Sequence, residues 1–293
     1  MKDFNLKGII PAFVTPFDAD GNLAPDVAKI HAKNLLAEGA NGLYVGGSSG
    51  EMALLSVDER KTLLEAVIDA VPDLPIICHI GALSALDAIE LAKHADKLGV
   101  AAISSVTPFY YKYGFEEIKN YYRMISEAVD TPMVIYNIPN LSGSNLSIAQ
   151  LCELMTIPGV AGMKFTSSDY FAFERIRRAF PDKILYNGAD EMLMSGLAMG
   201  ADGGIGTNYN FICRKMVKLY GEFKSGDISG ALQTQHEIND IVQILFRYNY
   251  LPSVKTMIKL KGLDVGQCRP PFVALNDKEV EELRAECLPL ILK

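Results

Sequence analysis

The chain has no C-x-x-C pair, no long apolar run and no surplus of positive charge. Its five cysteines (Cys78, Cys152, Cys213, Cys268 and Cys287) are scattered, and an odd, unpatterned set reads as reduced thiols of a cytoplasmic protein. Four histidines, His31, His79, His94 and His236, keep no metal-like spacing, so no metal is expected. No stretch approaches the roughly 18 apolar residues of a membrane span. The opening MKDFNLKGII lacks the apolar core of a secretory leader. The net charge is −7 and the isoelectric point about 5.2. That balance argues against nucleic acid or an anionic membrane as main partner and leaves room for a local basic site for an anionic metabolite.

What is present is an alternation. Short β-rich runs start at Gly8, Gly42, Leu74, Val100, Thr131, Val160, Asp182 and Ala201, and amphipathic helical stretches separate them. The runs are near-continuously apolar, as strands covered on both faces should be. Ala88, Leu91, Ala92, Ala95 and Leu98 recur at helical spacing, as do Ile212, Met216, Leu219, Tyr220 and Phe223. Gly99, Gly159 and Gly200 stand where helices should end. Eight β-then-α units predict an α/β protein, a (β/α)8 TIM barrel. A doubly wound open sheet is the alternative, but no G-x-G-x-x-G opens a helix after the first strand. The expected organisation is a barrel over residues 1–226 and C-terminal helices over 227–293 packed on it, a single structural domain overall. Asn276 followed by Glu279 is a candidate capping box for the last helix.

A barrel carries its active site at the C-terminal ends of its strands. The second strand, in GLYVGGSSGE, ends in bare backbone and hydroxyls at Ser48 and Ser49, a turn whose N–H groups can converge on a small anion. Lys164 lies among apolar residues in GVAGMKFTSS. A charged ammonium is costly in such a strand, and a neutral buried amine is a nucleophile for carbonyl carbon. A strand-end lysine that reaches solvent is the other possibility. Tyr136 closes the preceding strand and offers a phenol for proton transfer, or merely a packed ring. Asp190 and Glu191 are an acidic pair that would also suit a helix start. Thr166 and Thr207 add hydroxyls to the same rim, and Phe109-Tyr110-Tyr111 adds aromatics.

Taken in order, YVGGSSGE, VTPFYY, YNIPNLSG, GMKFTS and GADGGIGTNYN resemble the N-acetylneuraminate lyase / dihydrodipicolinate synthase family of class I aldolases over essentially the whole chain. The resemblance implies a (β/α)8 barrel with a helical tail, usually a homotetramer, that makes or breaks a carbon–carbon bond at pyruvate held as a Schiff base. It needs no cofactor beyond the covalent link at its own lysine. Residue by residue, Lys164 matches the Schiff-base lysine and Tyr136 the proton-transferring tyrosine. Ser48 and Ser49 match the pair that holds the pyruvate carboxylate, and Tyr110 resembles the tyrosine lent to a neighbouring subunit's site. The opening loop would then be a carboxylate cradle.

The synthase branch carries an arginine after the YN-x-P proline for a second carboxylate; here Leu141 stands there. The lyase branch holds a polyhydroxylated chain, and Thr166, Gly188, Asp190, Glu191 and Thr207 occupy the matching positions. The cradle reads Ser-Ser where such lyases show Ser-Thr, which keeps both hydroxyls. The expected reaction is reversible cleavage of N-acetylneuraminate to N-acetylmannosamine and pyruvate. The alternatives are another Schiff-base pyruvate aldolase, acting on a 2-keto-3-deoxy sugar acid or aspartate semialdehyde, and a non-catalytic keto-acid sensor.

Overall fold

The structure, a computed structural model, describes residues 4–292. Eight parallel strands follow one another in the chain. They are β1 (Gly8–Pro11), β2 (Leu43–Val45), β3 (Ile76–His79), β4 (Ala102–Val106), β5 (Met133–Asn137), β6 (Val160–Phe165), β7 (Ile184–Asn187) and β8 (Gly203–Gly206). Each falls inside one of the eight apolar runs. The ladders run in chain order from β2 to β8, and β8 pairs with β1. Just past β1, Ala12 bridges Tyr44 in parallel, and the Phe13 N–H donates to the Tyr44 carbonyl at 2.9 Å. That contact joins the two edge strands, so the sheet is a TIM barrel nearly closed on itself, as the alternation predicts.

Strand side chains alternate between two cores. One set, including Ile10, Tyr44, Ile77, Ala102, Val134, Tyr136, Ile184, Tyr186 and Ile205, points into the barrel and fills it. The other, including Ile9, Leu43, Ile103, Ile135, Met163 and Leu185, packs outward on the helices. This double burial is why the strands read as continuous apolar runs. Ala88, Leu91, Ala92 and Ala95 are the buried face of the helix Ala85–Lys97. Gly99, Gly159 and Gly200 take φ of +74°, +89° and +95°, the left-handed backbone that suits a chain leaving a helix.

Beyond β8 and the helix Tyr209–Ser225 come the helices Ile228–Leu245, Tyr250–Leu260, Asp277–Glu286 and Leu288–Leu292. The expected capping box is present: Asn276 accepts from the Glu279 N–H at 3.0 Å, and Glu279 accepts from the Asn276 N–H at 2.9 Å. Among the described residues no helix is long and apolar enough to cross a membrane.

Candidate active site

At the C-terminal ends of the strands a cavity of about 290 Å³ opens. Ser48, Ser49, Tyr136, Lys164, Thr166, Gly188, Asp190, Glu191 and Thr207 all line it. Nine of the ten site residues read from the sequence therefore share one space. The register explains part of this. Tyr136 pairs with Lys164 and Lys164 with Tyr186, so three neighbouring strands point these side chains inward at one level.

Lys164 is only 4% exposed. It does not snorkel. Its Nζ lies 4.1 Å from the centre of the Tyr136 ring and 4.6 Å from that of Tyr44. Tyr44 is itself held by its hydroxyl on Ser104 Oγ at 3.1 Å. Burial pushes the Tyr44 phenol well above its usual range, so it stays neutral beside the amine.

The loop after β2 folds as two short 3-10 turns, Ser48–Gly50 and Met52–Leu54. The N–H groups of Gly50 and Glu51 bond back to the carbonyls of Gly47 and Ser48 at 3.0 and 3.1 Å. The N–H groups of Ser48 and Ser49 come first in the turn and need no partner within it. Ser49 Oγ and Thr207 Oγ1 share a hydrogen bond of 2.6 Å, which ties this loop to the end of β8. Below it, His79 accepts the Val106 N–H on Nε2 at 3.2 Å, so its proton sits on Nδ1 and faces the Gly46 carbonyl at 3.1 Å. Burial and the Arg60 charge keep that imidazole neutral.

Asp190 opens the 3-10 turn Asp190–Met192 after β7 and is 4% exposed. Its Oδ2 accepts the Asn208 N–H at 2.7 Å. Burial raises its pKa to about 7; the Asn208 bond opposes the rise, Glu191 adds to it, and Lys164 opposes it. Two glycines make room. A Cβ on Gly206 would strike Asp190 Oδ1, and one on Gly188 would strike Thr166 Oγ1. The Thr166 hydroxyl has no protein partner and is left for a ligand or water.

Tyr110 is the exception. It does not line the cavity; it is 82% exposed, packs its ring on Tyr111 and takes φ +81°, rare for a residue with a side chain. The sequence did not point to the wall made by Phe246, Tyr250 and Leu251. Phe246 caps the helix that ends at Leu245, and Tyr250 and Leu251 open the next one; the signal available was the aromatic run FRYNYL between two helical stretches. Leu141 also lines the cavity. Among the described residues no cluster of His, Cys, Asp or Glu is arranged to hold a metal ion.

Eight parallel strands in a nearly closed barrel, with a buried lysine beside a tyrosine ring at the strand ends, define the class of fold: an α/β barrel of the TIM type. The model of the dihydrodipicolinate synthetase family matches residues 5–288, and the chain belongs to that family. It is thus a class I aldolase, a carbon–carbon lyase. An N-acetylneuraminate lyase of Clostridium perfringens is 38% identical over 281 residues, 95% of this chain and 98% of that protein. One from Fusobacterium nucleatum is 38% identical over 278 residues, 94% and 96% of the two chains. A Clostridium difficile protein solved in complex with mannosamine superposes with a TM-score of 0.93 at 36% identity, covering 97% of this chain and 99% of that one.

Proposed function

We propose that the chain cleaves N-acetylneuraminate reversibly to N-acetylmannosamine and pyruvate through a Schiff base on Lys164. The observation that carries this is the near-complete burial of Lys164 against the Tyr136 ring, in a cavity rimmed by hydroxyls and carboxylates. The relatives' names point the same way.

In the open-chain sugar acid, the Lys164 amine adds to the C2 ketone, water leaves, and a proton taken up on the nitrogen gives an iminium. The Tyr136 hydroxyl takes the proton of the C4 hydroxyl while passing its own proton to the substrate carboxylate, as the C3–C4 bond breaks. The electron pair of that bond moves into the iminium, leaving an enamine and the aldehyde of N-acetylmannosamine. A proton returned to C3 gives the pyruvate iminium, and water releases pyruvate and the free amine. Ser48 and Ser49 hold the carboxylate. Thr166, Asp190, Glu191 and Thr207 bond the hydroxylated tail, with the bare backbone of Gly188 leaving room for it. Leu141, apolar and 68% exposed, offers no cation for the second carboxylate of a semialdehyde condensation. That favours the sugar acid.

Tyr110 serves a neighbouring subunit's site in a homotetramer; its exposure and left-handed backbone support an outward task. Free thiols at all five cysteines support residence in the cytoplasm. The test is turnover: incubate the protein with N-acetylneuraminate and couple released pyruvate to a dehydrogenase. Steady pyruvate release is expected. A protein that ignores the sugar acid but condenses pyruvate with aspartate semialdehyde would overturn the substrate assignment.

A further inference from the structure

One glycine after the cradle serines comes Glu51, with φ 59° and ψ 37°, one of two residues other than glycine with a positive φ among the described residues. A left-handed glutamate is strained and persists only where its surroundings hold it. Its carboxylate is fully buried. One oxygen lies 2.6 Å from Lys255 Nζ, and the two side chains are 0% and 1% exposed. The other accepts the Arg269 N–H at 2.8 Å.

Lys255 belongs to the helix Tyr250–Leu260, which also supplies Tyr250 and Leu251 to the cavity wall. Its ammonium bonds the Gln267 carbonyl at 3.1 Å and lies 4.3 Å from the centre of the Phe17 ring. The Arg269 guanidinium is 4.4 Å from the same centre and bonds the Leu54 carbonyl at 2.8 Å, on the far side of the loop. Neither Glu51 nor Lys255 lines the substrate cavity. A buried ion pair is an inefficient device for stability, because desolvation offsets much of the attraction, but breaking one partner strands a charge. Here the pair fixes the one residue whose backbone closes the cradle turn onto the Ser48 carbonyl.

We propose that Glu51 and Lys255 are positioning residues for the carboxylate cradle: their buried pair ties the C-terminal helix to the turn and holds Ser48 and Ser49 where a keto-acid carboxylate is bound. This rests on the proposed cradle role of the two serines.

The experiment measures pyruvate saturation by borohydride trapping on Lys164, alongside thermal melting, for the full-length parent, Lys255→Met and Glu51→Leu/Lys255→Met. Lys255→Met should lower the melting temperature and raise half-saturating pyruvate at least tenfold, with the trapping rate at saturation within about threefold of the parent. The double variant, which strands no buried charge, should recover most of the melting temperature and none of the pyruvate affinity. If affinity returns with the melting temperature, or never falls, the pair only supports the fold and the proposal is overturned. Should the double variant not fold, Glu51→Gln keeps the acceptor for Arg269 and loses the pair. Unchanged half-saturation in that variant would equally overturn the proposal. A parent that traps no pyruvate at Lys164 would instead refute the functional assignment, and the cradle proposal with it.

Discussion

Asp190 should make this protein's stability fall as pH rises through neutrality, and Asp190→Asn should remove the effect. The carboxyl is buried and has a pKa of about 7 in the fold against an ordinary 3.8. A raised acid favours folding fully below 3.8 and loses that contribution as pH climbs through about 7. The whole swing is roughly 4 kcal/mol, at about 1.4 kcal/mol per pH unit. Unfolded chains have already ionised at pH 5, which accounts for about 1.7 kcal/mol, so roughly 2–3 kcal/mol is left to be lost between pH 5 and pH 8. The amide of Asp190→Asn keeps an acceptor for the Asn208 N–H and cannot titrate. Urea unfolding of parent and variant at both pH values, at one ionic strength, isolates the effect, because every other group cancels in the difference. The variant should gain on the parent by about 2–3 kcal/mol from pH 5 to pH 8. A difference that stays constant would mean that Asp190 is ionised in the fold throughout, and the burial argument would be wrong.

Tyr136→Phe should cut kcat by roughly 10²- to 10⁴-fold while pyruvate still traps on Lys164; parental turnover would reduce the phenol to packing. Glu191→Ala should lower kcat/KM for the sugar acid about 5- to 150-fold, as expected for loss of one hydrogen bond, with pyruvate binding unchanged. A parallel loss of pyruvate binding would place Glu191 at the wrong end of the substrate. Gly188→Ala drives a methyl onto the Thr166 hydroxyl and should cost about 1–3 kcal/mol of sugar-acid kcat/KM, read from initial rates. An unaffected variant would show that Thr166 gives way freely.

The barrel was legible because burial on both faces writes each strand as an apolar run and leaves the helices to carry the amphipathic pattern. The ladders are shorter than those runs, since residues past each strand end, such as Thr166, Gly188 and Thr207, line the cavity and leave the ladder. The candidate site was legible because a barrel gathers its strand ends on one face, so Lys164, Tyr136 and Ser48 could be placed together before any contact was known. What tertiary packing alone creates could not be read. Glu51 was visible as the end of a glycine-rich loop, but Lys255 lies far along the chain, and nothing local says that they meet. Tyr250 and Phe246 reach the cavity only because the C-terminal tail folds over the rim, which nothing in their local sequence specifies. The raised pKa of Asp190 depends on burial, which its neighbours in sequence do not reveal.

The central claim is that Lys164 is the covalent residue. Incubation with N-acetylneuraminate and borohydride, followed by peptide mapping, tests it most directly. The account predicts a reduced adduct on the peptide containing Lys164 and none in Lys164→Arg, whose guanidinium stays protonated and forms no imine. A stable adduct on any other lysine, or turnover by Lys164→Arg, would contradict it.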